Sequence, residues 1–116
     1  MVVALPDGLV VPVLKDANRL TLKQISETAK LLAAKAKDGN FTPDEYSGGT
    51  FTVTNLGMMG VSAFTPIINP PESAILGVCA VTQQLEMDDD GQIHRRLKMG
   101  LSLTCDHRSI DGAQTA

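Results

Sequence analysis

Two cysteines are too few for a disulfide framework. Cys79 and Cys105 both stand inside apolar, strand-like runs, which suits small buried thiols kept reduced. Long hydrophobic runs are also missing: the longest of note, Ala74 to Val81, is interrupted by Gly77, whereas a membrane-spanning helix needs about 20 residues. Positive charge is scarce. Ten Lys and Arg against 13 Asp and Glu leave a formal net charge of −3, which disfavours a nucleic-acid binder, since that would need a basic face to meet phosphates. The N-terminus MVVALPDG has neither a basic stretch followed by a long apolar one nor the Arg-rich character of a transit peptide, so no address is read from it. No repeat, low-complexity segment or linker divides the chain. Its 116 residues suit one domain, long enough to bury roughly two thirds of its unfolded surface. With 43% hydrophobic and 20% charged residues, neither disorder nor a fibrous class is indicated.

What is present reads as one sheet with helix packed on it. Val2 to Leu5 and Leu9 to Leu14 are β-branched and apolar, and Pro6-Asp7-Gly8 between them predicts a hairpin turn. Pro12 removes a ladder donor, so an edge or a bulge is expected there. Thr21 to Lys37 is the clearest helix, with Leu22, Ile25, Ala29, Leu32, Ala33 and Ala36 on one stripe. Thr21 and Gln24 match a capping box, Leu20 and Ile25 a hydrophobic staple, and Gly39 or Asn40 can end the helix in a left-handed conformation. Thr42-Pro43-Asp44-Glu45 repeats the cap logic on a short helical turn.

Gly48-Gly49 leads into Thr50 to Asn55, where alternation predicts a half-buried strand with Phe51 and Val53 inward and a hydroxyl face of Thr50, Thr52 and Thr54. Two irregular passages follow, one punctuated by Gly57 and Gly60, the other by Pro70-Pro71. These glycines match neither a P-loop nor a dinucleotide fingerprint. Ala74 to Val81, apolar on both faces, predicts a central strand. Asp88-Asp89-Asp90-Gly91 lacks the alternate ligands and distal Glu of a calcium loop and reads as a solvated hairpin turn. The return strand ends with Met99, Leu101, Leu103 and Cys105 on one face and Lys98, Ser102, Thr104 and Asp106 on the other. The economical fold is an α/β two-layer sandwich with a mixed β-sheet.

The run LTCDHRSIDGA, Leu103 to Ala113, concentrates the chemistry. His107 falls on the apolar parity of its strand, and an imidazole held on an apolar surface stays neutral near pH 7, the state a general base requires. Asp111, four residues on, could orient His107 or fix a neighbouring loop through Arg108. The competing account is a strand-end histidine beside two turn-forming aspartates. Metal binding by His94 and His107, and a Cys105 to His107 nucleophile dyad, are weaker options, because the first pair is far apart and Cys105 is explained as core.

The run DHRSIDGA, with GGTFTVTNLGMMGVSAFTPIINPPESAILGV upstream and ALPDGLVVPVLKDA at the start, closely resembles the catalytic domain of the dihydrolipoamide acyltransferases. These are the core components of the 2-oxoacid dehydrogenase complexes, pyruvate dehydrogenase among them, with a chloramphenicol acetyltransferase-like fold. The resemblance covers essentially the whole chain. It implies acyl transfer between dihydrolipoamide and coenzyme A, with the lipoyl group and coenzyme A as substrates and no metal. His107 matches the family's general base, Thr54 a serine position whose hydroxyl supports the oxyanion, and Asp111 an Asp or Asn position that supports the site. No coenzyme A contact is assigned to a residue.

The family builds trimers in which the histidine and the hydroxyl residue come from neighbouring subunits, and the trimers assemble into larger cores. The expected partners are copies of this chain, lipoyl domains and the other dehydrogenase-complex subunits, and neither nucleic acid nor a membrane. The expected compartment is the cytoplasm, with the mitochondrial matrix as the alternative. Residues 1–116 are expected to be the C-terminal part of the catalytic domain, without a lipoyl or subunit-binding domain. A second reading follows from that: a structural or assembly piece that keeps the fold without a complete site.

Overall fold

The computed structural model describes residues 1–115, with side chains described as far as Gln114. Strands β1 (Val3–Leu5) and β2 (Gly8–Val10) form the expected antiparallel hairpin, with Val3 opposite Val10 and Leu5 opposite Gly8. Pro12 lies just past β2 and is fully buried. Its carbonyl accepts the α-ammonium of Met1 at 2.8 Å.

Helix α1 (Leu22–Lys37) begins and ends where local chemistry dictates. The Thr21 N–H donates to Gln24 Oε1 at 2.8 Å and the Gln24 N–H returns to Thr21 Oγ1 at 3.3 Å, so two of the otherwise unpaired N-terminal donors are satisfied. At the other end Gly39 takes φ 69°. Its N–H reaches the Ala36 carbonyl at 3.3 Å while the Asn40 N–H reaches Lys35 at 3.1 Å, the paired closure that only a left-handed residue permits cheaply. Leu32 and Ala36 are buried, but Leu22 is 86% exposed, so the predicted stripe packs from the second turn onward and not from the first. Helix α2 (Pro43–Tyr46) is held to α1 by Glu45: its Oε1 accepts from Lys35, its Oε2 from the Thr42 N–H at 3.0 Å, and its backbone carbonyl from the Val13 N–H at 2.8 Å. The Lys35 ammonium, before the Thr42 N–H, holds the Glu45 carboxyl below its ordinary range.

Where one sheet is expected there are two, the hairpin being separate; the second is mixed, as expected, in the order β3 (Thr52–Asn55), β4 (Ala74–Met87), β5 (Ile93–Cys105). β3 runs parallel to β4, and β4 antiparallel to β5. Beyond β3 the edge of β4 is continued by a loop: the Leu56 N–H donates to Val78 at 3.1 Å and the Ala80 N–H to Val61 at 2.8 Å. An extra residue bulges β4 between Val78, opposite Leu101, and Val81, opposite Met99. The hairpin turn at the acidic run is organised by Asp88, whose Oδ1 accepts from the Asp90 and Gln92 N–H groups and whose Oδ2 lies 2.6 Å from the His94 ring.

The faces of this sheet differ from expectation. Thr52 is the inward residue of β3, 1% exposed, whereas Phe51 and Val53 are open to solvent. The covered face is the one bearing Thr52, Ile75 and Gly77, against which the Phe64 ring packs so closely that a Cβ on Gly77 would lie 2.6 Å from its Cζ. The opposite face carries Val53, Leu76, Val78, Leu101 and Leu103, paired directly across the strands. Its grouping is as predicted, but it is only partly covered: Leu76 and Val78 are half-buried, while Leu103 and Leu101 remain 43% and 59% exposed.

Candidate active site at the end of strand β5

The ladder between β4 and β5 extends one step past Cys105, through the Asp106 N–H to the Ser73 carbonyl at 2.8 Å. There the chain turns sharply. The Asp106 carbonyl accepts the Ser109 N–H at 2.9 Å, the Ile110 N–H at 3.1 Å and the Ser109 hydroxyl at 3.0 Å. Its carboxylate takes the Arg108 guanidinium in a fork, Nε to Oδ1 at 3.0 Å and Nη2 to Oδ2 at 2.8 Å, and also the Arg108 N–H at 3.1 Å. Those donors hold the Asp106 carboxyl down at about 2. Arg108 is therefore paired with Asp106, two residues before it, and the tie from Asp111 through Arg108 is replaced by a clasp inside the turn.

His107 stands at the apex of that turn and is exposed. The apolar enclosure expected from strand parity is not formed, because the strand stops at Cys105 and the turn swings the imidazole clear of the sheet. The ring lines a cavity of about 410 Å³ with Ile68, Pro70, Pro71, Glu72, Cys105, Asp106 and Arg108. On its other side it approaches the start of α3 (Gly112–Thr115), where a Cβ on Gly112 would lie 4.0 Å from Nε2. Asp111 sits just before α3 and is engaged with it: its carbonyl accepts the Gln114 N–H at 3.0 Å, and its own N–H meets Gln114 Oε1 at 3.4 Å. No hydrogen bond joins Asp111 to His107 among the described residues. Asp111 thus caps the start of the helix that the His107 ring approaches.

Thr54 lies elsewhere. It is half-buried on β3, in the transverse row Thr54, Gly77, Ser102. Two strand spacings and three residues along β5 put it about 14 Å from Cys105, at the foot of the His107 turn. One chain does not bring Thr54 and His107 together.

Sequence reasoning gave no role to Glu72. It is 8% exposed, lies between the His107 cavity and a larger cleft, and lines both. Gly49 makes room for it, since a Cβ there would lie 2.5 Å from Glu72 Oε1. The available signal was a single acid set between Pro70-Pro71 and an apolar strand. Among the described residues no three His, Cys, Asp or Glu side chains are grouped to hold a metal ion.

Comparison with known proteins agrees with this architecture. A crystal structure of Azotobacter vinelandii dihydrolipoamide acetyltransferase, from a study of a serine, a histidine and an asparagine in its catalytic mechanism, superposes with a TM-score of 0.92 at 42% identity, over 99% of this chain and 47% of that one. The cubic core of the pyruvate dehydrogenase multienzyme complex matches equally well, with TM-score 0.92 and 42% identity over 98% of this chain and 46% of that one. The acetyltransferase component of the pyruvate dehydrogenase complex of Cupriavidus necator is 49% identical over 111 residues, 96% of this chain and 20% of the relative. The fold is that of a chloramphenicol acetyltransferase-like acyltransferase core. The chain belongs to the family of 2-oxoacid dehydrogenase acyltransferase catalytic domains, whose model matches residues 1–116. It spans about a fifth of that curated relative and just under half of the solved catalytic cores.

Proposed function

We propose that this chain supplies the residues of an acyltransferase site that moves an acyl group between a dihydrolipoyl thiol and coenzyme A, in the core of a 2-oxoacid dehydrogenase complex. The observation that carries the reading is the presentation of His107: an exposed imidazole on a turn braced by Asp106 and Arg108, facing a cavity and backed by α3. Its spacing supports the roles. In the Azotobacter enzyme the histidine and asparagine stand 4 positions apart and the serine stands 52 before the histidine; here Asp111 follows His107 by 4 and Thr54 precedes it by 53.

In this reading His107 takes the proton from the coenzyme A thiol as its sulfur attacks the thioester carbonyl. The tetrahedral oxyanion accepts a hydrogen bond from the Thr54 hydroxyl, a donor placed where charge develops. Collapse expels the dihydrolipoyl sulfur, which receives the proton back from the imidazolium. No acyl-enzyme forms. Because Thr54 and His107 are far apart within one chain, the site is completed between neighbouring copies, and self-association is part of the mechanism. Lipoyl domains then bring the acyl group to the assembled site.

The open apolar face beside Leu101 and Leu103 favours a second reading, in which this stretch serves assembly and does no chemistry. Acyl transfer from acetyl-dihydrolipoamide to coenzyme A in the full-length protein separates the two. His107→Ala is expected to lower turnover about 10²- to 10⁴-fold, the usual worth of a general base. Unchanged turnover would remove His107 from the mechanism.

A further inference from the structure

Glu72 and Thr52 mark a second site. Between the segment after β2, α1 and β3 lies a cleft of about 780 Å³, within the size range of ligand pockets, with apolar walls that include Val13, Ile25, Ala29 and Phe51. Thr52 and Glu72 lie on its wall, 1% and 8% exposed. Thr52 Oγ1 and Glu72 Oε2 are buried without a hydrogen-bond partner. A carboxylate oxygen can only accept, so the partner it lacks is a donor, and a cationic donor bonds it most strongly.

The cations nearby are engaged elsewhere. Lys15 also lines the cleft, but its ammonium donates to the Ser47 carbonyl. The Met1 α-ammonium donates to the Pro12 carbonyl. Asp16, exposed, also lines the cleft.

We propose that this cleft, which shares the Glu72 wall with the His107 cavity, binds a lysine or arginine side chain carried on an apolar peptide segment, the cation on Glu72 and Thr52 and the flanking side chains on the apolar walls. A peptide is favoured over a free amine because the volume is several times that of an alkylammonium and most of the lining is apolar.

Titration calorimetry on the full-length protein tests this with three probes: the capped peptide Val-Lys-Val, the same peptide with norleucine in place of lysine, and n-butylammonium. The lysine peptide is expected to bind at least about tenfold more tightly than the norleucine peptide, and Glu72→Gln to remove that advantage. Equal affinity of the two peptides, binding of n-butylammonium alone, no binding at all, or an advantage that survives in Glu72→Gln would each overturn the proposal. Should Glu72→Gln fail to fold, the two-peptide comparison on the unmodified protein still decides.

Discussion

Asp106 and Arg108 close a ring inside the site turn, the guanidinium gripping both carboxylate oxygens while the Arg108 N–H binds one of them. His107, caught between the two, is aimed by a clasp in which it takes no part. The fork works as long as Asp106 is ionised. Its carboxyl titrates at about 2, against an ordinary 3.8, so the folded state binds that proton less readily than the unfolded chain does. The stabilisation is therefore complete above the ordinary value and is lost as pH falls through about 2. Carboxyl NMR shifts of Asp106 are expected to titrate near that value, and Asp106→Asn to weaken amide protection at Ser109 and Ile110 even at neutral pH.

Completion of the site between copies makes a quantitative claim. Thr54→Ala and His107→Ala are each expected to be nearly inactive alone. Co-assembled in equal amounts, they regenerate sites that draw an intact Thr54 from one subunit and an intact His107 from its neighbour, about a quarter of the total if mixing is random. Specific activity of the mixed assembly measures it. A mixture no more active than its parents would place both residues in one subunit's site.

Gly57 and Gly77 differ in what stands over them. A Cβ on Gly57 would overlap the Cys79 carbonyl, which is backbone of the central strand and cannot yield, whereas on Gly77 it would meet the edge of the Phe64 ring. Gly77→Ala is expected to cost about 1 to 3 kcal/mol, and Gly57→Ala more than about 3. Urea midpoints of the two variants give the order.

Thr21→Ala removes the side-chain acceptor for the Gln24 N–H at the start of α1. A loss of about 1 kcal/mol is expected, with activity unchanged, since α1 lies away from the His107 turn.

What could be read in advance was what neighbours in sequence decide among themselves. Thr21 with Gln24 and Gly39 with Asn40 bound α1 through contacts a few residues long, and the Asp88 turn is equally local. The inward face of β3 was not of this kind. Alternation separates Thr52 and Thr54 from Phe51 and Val53, but which set is buried depends on where the Phe64 loop settles, and that is a long-range matter. The site divided in the same way. His107 and Asp111 announced themselves by residue type, and the family resemblance gave them a chemistry. The Asp106 to Arg108 clasp was hidden because pairing at i and i+2 arises from a tight turn and not from a helix, and Glu72 because its burial depends on Gly49, distant in sequence.

The bulge in β4 governs more than its own two residues. Counted in plain alternation from Leu76 and Val78, the next side chains on the same face would be Ala80, Thr82, Gln84 and Glu86; the extra residue puts Val81, Gln83, Leu85 and Met87 there instead, opposite Met99, Leu97, Arg95 and Ile93. The arm beyond can therefore lengthen or shorten by whole cross-strand pairs and keep its apolar side in phase with the sheet. Loss of one residue at Cys79 or Ala80 would remove the bulge and leave Val81 opposite Met99 with the arm's faces unchanged, whereas loss of one residue between Val81 and Leu85 would turn Glu86 onto the side now held by Leu101, away from its partners Lys98 and Arg96. Length variation in this hairpin should thus be counted in steps of two, with the bulge as the one place where a step of one is absorbed.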